Sequence, residues 1–147
     1  MLAELPPTVS DPALLVDGTE QTLRRVTLGF AVLGWLLADI RASFGQLVHL
    51  SPFQYVALQA IARVASDTPW TSRSLAIHFH VSNAYVSMET RPLVKQELLS
   101  SQPSPEDRRA KFLAVTAKGT QLLTALAPVQ QKVNNMLYSQ FDQSSLA

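Results

Sequence analysis

Apolar side chains recur at alternating spacings of three and four over a long stretch of the chain. From about Thr19 to Leu47 the series is Leu23, Val26, Phe30, Leu33, Leu37, Ile40, Phe44 and Leu47, the period of one face of an α-helix. Leu28, Val32, Trp35 and Leu36 widen the stripe well past one face. A helix apolar over so much of its circumference is covered from two sides, by its own domain and by a second chain.

Further along, Ser51-Pro52 offers a cap with proline at the first helical position and predicts a helix over residues 53–64. Asp67-Thr68-Pro69 breaks it. Thr71 or Ser72 then caps a short helix over 74–79, and Ser82 caps another running from Asn83 to about Gln96. Residues 98–101 and 111–115 pair as two short strands around a polar tip, 102–109. Thr116 caps a last long helix whose apolar positions, Leu122, Leu126, Val129, Val133, Met136 or Leu137 and Phe141, again fall three and four apart.

This order predicts a mainly α fold, a winged helix-turn-helix with long N- and C-terminal dimerisation helices and a two-stranded wing. The expected organisation is a mobile arm over 1–12, where Pro6-Pro7 blocks regular structure, an N-terminal dimerisation helix over 13–50, a DNA-binding lobe over 51–116 and a C-terminal dimerisation helix over 117–147. Two long amphipathic helices beside so small a lobe leave too much apolar surface for one chain to cover.

Composition narrows the classes. The absence of cysteine excludes disulfides, thiolate zinc sites and thiol redox sensing. The first ten residues show no secretory pattern, and the longest apolar run, Leu28 to Ala38, is closed by Asp39 and Arg41, too short to span a bilayer. A cytoplasmic protein without membrane partners is expected. The formal charge of +1 hides an asymmetry: residues 70–118 carry seven basic side chains against four acidic, and the remainder five against seven. A basic middle between mildly acidic flanks suits a phosphate-facing module.

Histidines 78 and 80 lie two apart, which on a helix sends them in different directions, and no acidic cluster accompanies them or His49. No metal site, cofactor or catalytic constellation is expected, and the chain does not read as an enzyme.

The chemistry concentrates in the helix pair and its hairpin. The second helix of such a pair fits a major groove and presents small polar residues to base edges. Ser82, Asn83, Ser87 and Arg91 are expected on one face, with Val86, Leu93 and Val94 towards the core. Asn83 suits bidentate bonding to adenine, and Ser82 and Ser87 a base or a phosphate. Tyr85 offers its hydroxyl to a phosphate or its ring to a thymine methyl, and Arg91 and Lys95 are placed for the backbone. In the hairpin, Arg108, Arg109 and Lys111 suit an A·T-rich minor groove, with Asp107 orienting an arginine. Double-stranded DNA and a second copy of the chain are the expected partners.

With these residues in view, the sequence resembles the MarR (multiple antibiotic resistance regulator) family of transcription factors. The resemblance rests on Leu50-Ser-Pro-Phe-Gln-Tyr-Val-Ala-Leu58, on Leu75-Ala76 and Val81-Ser82, and above all on Asp107-Arg108-Arg109 followed by Leu113, Val115-Thr116 and Gly119. It covers roughly residues 20–140. It implies a homodimer joined through its terminal helices on a pseudo-palindromic operator, with Arg109 in the minor groove. It also implies a small aromatic or phenolic effector held between dimerisation helices and lobe, where Trp35, Asp39, Phe44, His49 and Phe53 are the candidates.

Four positions depart from the family pattern. Pro92 interrupts the recognition helix and is expected to kink it after Met88. Met88 stands where many members carry a basic residue, Glu97 stands in place of a common glycine, and Ser101 lacks the usual arginine. The first three favour a different class of function, a winged-helix scaffold whose recognition face docks a protein.

Overall fold

The structure, a computed structural model, describes residues 6, 8–16, 18–63, 69–103 and 110–139. The chain divides into two compact units, residues 1–40 and 41–147.

In the first unit Asp11 caps a 3-10 turn, Pro12–Leu14, its carboxylate accepting from the Ala13 N–H at 2.9 Å. Helix α1, Gln21–Leu47, begins in this unit and ends in the second. Within the arm read over 1–12, Thr8 donates through its N–H (2.7 Å) and its hydroxyl (3.0 Å) to the Glu20 carboxylate. Glu20 also pairs with Arg24, whose guanidinium donates to the Pro6 carbonyl. The backbone N–H of Thr8, more than Arg24, holds the Glu20 carboxyl below its usual range.

The apolar stripe of α1 is bare in the isolated chain: Trp35 is 78% exposed, Phe30 70% and Leu28 65%. An 18-residue window of this helix has a mean hydropathy of 1.4 with none of it buried, so by length and composition it is long and apolar enough to cross a membrane. The run Leu28–Ala38 understated this, because it stops at Thr27 and Asp39, whereas the apolar character of the helix resumes beyond them at Val26 and Ile40.

The second unit is the lobe. After α1 come α2 (Pro52–Arg63), β1 (Trp70–Thr71), α3 (Ser72–His78), α4 (Asn83–Lys95), β2 (Leu99–Pro103), β3 (Lys111–Val115) and α5 (Ala117–Leu137). The expected order therefore holds, with one addition. The sheet has three strands in the order β1-β3-β2 rather than two, Trp70 pairing with Leu113 and Thr71 with Phe112. The hairpin itself pairs Leu99 with Val115 and Pro103 with Lys111, reaching two residues further towards its tip than expected. Leu58, Leu75, Val86, Leu93 and Leu99, one or two from each of α2, α3, α4 and β2, are fully buried and form the centre of the lobe.

Three helices end in the same way. His49, His80 and Glu97 follow α1, α3 and α4 with φ of +57°, +53° and +60°. In each case the next N–H reaches back five residues: Leu50 to the Gly45 carbonyl, Val81 to Ala76 and Leu98 to Leu93. This left-handed cap satisfies orphan carbonyls and usually uses glycine. The two histidines thus serve as helix terminators.

Prolines interrupt two helices without ending them. Pro92 lies inside α4, which continues to Lys95 with the Gln96 N–H donating to the Pro92 carbonyl. Pro128 lies inside α5. Proline has no N–H, so the carbonyls of Met88 and Thr124 lose their ladder donors.

Candidate nucleic-acid interface

The buried residues of α4 set the orientation of the recognition helix. Val86, Thr90 and Leu93 are its inward face, and Thr90 hides its polarity by donating its hydroxyl to the Val86 carbonyl at 2.8 Å. At 100° per residue the opposite strip is Ala84, Met88, Arg91 and Lys95, all exposed. Asn83, Ser87 and Val94 form the flank towards the wing. Tyr85, Glu89 and Pro92 form the flank towards α2.

This sharpens the expected face and corrects one member. Val94 does not fall into the core; it is half-buried and lines the groove with Asn83, Ser87 and Arg91. The apolar positions of α4 were read as core by type, whereas the inward axis passes through Thr90 instead.

Both ends of the helix pair are capped by their own side chains. Thr71 accepts from the Ser74 N–H at 3.0 Å, and the Ser74 hydroxyl in turn accepts from the Thr71 N–H at 2.8 Å. Ser82 is the N-cap of α4, its oxygen accepting from the Tyr85 N–H at 3.1 Å, which leaves its hydroxyl proton free to donate outward. The Tyr85 ring packs edge-on against Phe53 at 4.9 Å, so its body braces the helix and its hydroxyl end is what a ligand meets. On the same flank the Ser51 hydroxyl donates to the Glu89 carboxylate at 2.7 Å while accepting from the Gln54 N–H that it caps. Glu89 is thereby turned away from the outward strip.

Between α4, the start of α3 and the hairpin lies a concavity of about 790 Å³. Four of its lining residues are cations, Arg73, Arg91, Lys95 and Lys111, joined by Asn83 and Ser87, and no carboxylate lines it among the described residues. Arg73 was not among the expected contacts. The only hint in the sequence was its place in the basic middle, since the strand β1 that brings α3 to the wing is two residues long and shows no alternation to read. Arg108, Arg109 and Asp107 lie outside the described residues.

The root of the wing is fixed by Thr116, the N-cap of α5. Its hydroxyl donates to the Glu97 carbonyl at 2.6 Å and accepts from the Gly119 N–H at 3.0 Å, and its N–H donates to the Leu98 carbonyl at 3.2 Å. Gly119 has no room for a side chain: a Cβ there would sit 2.3 Å from the Leu98 carbonyl oxygen. Glu97 holds the left-handed conformation at this corner and pairs with Lys118 at 3.7 Å, an exposed contact of little energy.

The three effector candidates that fall in the lobe have different surroundings. In the lobe Phe44 is buried against Tyr55, Phe53 lies against Phe79 and Tyr85, and His49 is an exposed helix terminator. None of the five candidates lines the concavity above or a second, of about 310 Å³, between α2 and α5. Trp35 and Asp39 are exposed in the first unit.

Comparison with known proteins agrees with this architecture. A family model described as the MarR family matches residues 50–111. The uncharacterized HTH-type transcriptional regulator YhbI of Bacillus subtilis is 30% identical over 103 residues, 67% of this chain and 66% of its own length. The chain therefore spans just under two thirds of that relative. Among solved structures, AbsC, a MarR family transcriptional regulator from Streptomyces coelicolor, superposes with a TM-score of 0.69 at 20% identity, covering 90% of this chain and 86% of its own. A regulator assigned to the MarR family from Listeria monocytogenes, complexed with 26mer DNA, gives 0.69 at 18% identity over 82% of this chain and 78% of its own. With the helix pair, the hairpin and the flanking long helices in this order, and with the matched segment spanning most of the lobe, the chain is similar to the MarR family of winged-helix transcriptional regulators.

Proposed function

We propose that this regulator binds a pseudo-palindromic DNA operator as a homodimer, with α4 in the major groove and the wing hairpin over the adjacent minor groove. The observation that carries the reading is the carboxylate-free concavity with Arg73, Arg91, Lys95 and Lys111 on its walls and Asn83 and Ser87 beside them. Cations at its rim neutralise phosphates and position the lobe, while Asn83 and Ser87 supply donors and acceptors for base edges. Ser82 and the Tyr85 hydroxyl add phosphate contacts at the entry of the helix. Arg108 and Arg109 extend the grip into the minor groove, with Asp107 orienting them.

The dimer is supported by the bare apolar stripe of α1, which a second copy covers. An operator of two half-sites about one helical turn apart then follows from the two-fold symmetry. The small aromatic or phenolic effector that the resemblance implies is not needed for this reading, which stands on DNA alone.

Titration of a random duplex at low salt, followed by selection of bound sequences from a random pool, tests the proposal. Salt-sensitive binding and a symmetric selected motif are the expected results. No binding even at low salt would refute the reading and favour the protein-docking scaffold, for which the exposed Met88 is the supporting observation.

A further inference from the structure

We infer that Met88, with Ala84 one turn before it, reads thymine methyl groups in the major groove. The inference rests on the DNA-binding reading above and adds to it the chemistry of the bases selected.

The strip of α4 diametrically opposite its buried residues divides into two halves. Its C-terminal half, Arg91 and Lys95, is cationic, and its N-terminal half, Ala84 and Met88, is apolar, with Met88 56% exposed. In a helix-turn-helix the N-terminal turns of the second helix lie deepest in the groove, against base edges, and later turns rise towards the backbone. The two deepest outward positions therefore carry no hydrogen-bonding side chain. Asn83 and Ser87 sit to one side on the wing flank, and Glu89 on the other is held by Ser51.

An apolar side chain pressed onto the major-groove edge of guanine, adenine or cytosine strips water from donors and acceptors and replaces none of it. Thymine alone among the four bases presents a methyl group there, which gains from burial against a thioether or a methyl. Met88 is unbranched and reaches further than Ala84. The pairing of Asn83 with adenine and Met88 with thymine thus predicts an A·T-rich core in each half-site, read by methyl contact as well as by hydrogen bonds.

The full chain is first used to select an operator from a random duplex pool. Each thymine of the selected half-site is then replaced singly by deoxyuridine, which removes one methyl group and leaves pairing intact. The expected result is one or two positions per half-site at which binding weakens about fourfold, the equivalent of one buried methyl group. The variant Met88→Ala should bind the parent operator more weakly and lose that sensitivity, whereas Met88→Leu should keep it. Because Met88 is exposed, neither variant is expected to disturb folding, and circular dichroism of each is the check.

Uniform binding to every deoxyuridine duplex, or an unchanged methyl sensitivity in Met88→Ala, overturns this inference and leaves the DNA-binding reading in place. A selected half-site without thymine does the same. A chain that selects no duplex at all overturns both.

Discussion

Replacing Gly119 by alanine tests the way the wing is fastened to the lobe. The added Cβ would lie 2.3 Å from the Leu98 carbonyl oxygen and 2.8 Å from Cγ2 of Val115. An ordinary carbon–oxygen contact requires about 1 Å more. Neither neighbour yields easily: the carbonyl is backbone whose own side chain is buried, and Val115 is a β-branched strand residue. Moving Leu98 by that distance breaks its bond from the Thr116 N–H and disturbs the cap that Thr116 makes to Gly119. Overpacking costs about 1–3 kcal/mol and each disturbed hydrogen bond about 1 kcal/mol. Alanine returns about 1 kcal/mol of helix propensity. The net expectation is a loss of about 2–4 kcal/mol, read as a fall of about 1–2 M in the urea midpoint for a slope near 2 kcal/mol/M. Parent and variant are compared at one protein concentration, since the stability of the proposed dimer would depend on it. A midpoint equal to or above that of the parent would show that the corner gives way freely, and the reasoning would fail.

Four further outcomes follow from the structure. Arg73→Ala should flatten the dependence of log affinity on log salt by about 2 units per dimer, from about −7 for eight neutralised phosphates; an unchanged slope removes Arg73 from the interface. Trp35→Glu should convert a dimer to a monomer in sedimentation at micromolar concentration while leaving the circular dichroism of the lobe intact, and flotation with lipid vesicles instead of dimerisation by the parent would redirect the α1 stripe to a membrane. Glu97→Gly should raise stability by about 1 kcal/mol by relieving the left-handed strain, and a decrease on denaturation would mean the Lys118 pair outweighs the backbone. Burial, opposed by the Gln130 hydrogen bond, pushes the Tyr55 hydroxyl above the usual 10.0. Its raised folded pKa contributes stability that is intact below 10 and lost as pH climbs through the folded value. Tyr55→Phe should therefore lose stability less steeply above pH 10 in alkaline denaturation curves.

The helices and hairpin were legible because each carries its own period and its own cap. Ser51, Ser82 and Thr116 each stand at a helix start in the structure, with Pro52 the first residue of α2. The strand β1 was not legible: Trp70–Thr71 is too short for alternation, and its pairing with β3 is a tertiary event. The recognition face was legible by residue type but not by angle. Thr90 is polar by type, yet its back-bond to the Val86 carbonyl lets it point inward, so the inward axis of α4 passes through it and not through Val94. Arg73 joins the groove only because β1 brings α3 to the wing. The roles of His49 and His80 lay beyond pattern reading because a left-handed cap normally announces itself by glycine.

The double use of the Ser51 hydroxyl bears on attempts to re-target this regulator. A recognition helix transplanted from another member would carry new base preferences, but its seating depends on an acceptor at the position of Glu89. Without one, the serine proton turns to solvent and the flank towards α2 loses this tether, while Val86, Thr90 and Leu93 still hold the inward face. Re-targeting by exchange is then expected to place the new side chains most accurately with donor helices bearing glutamate or glutamine at that position.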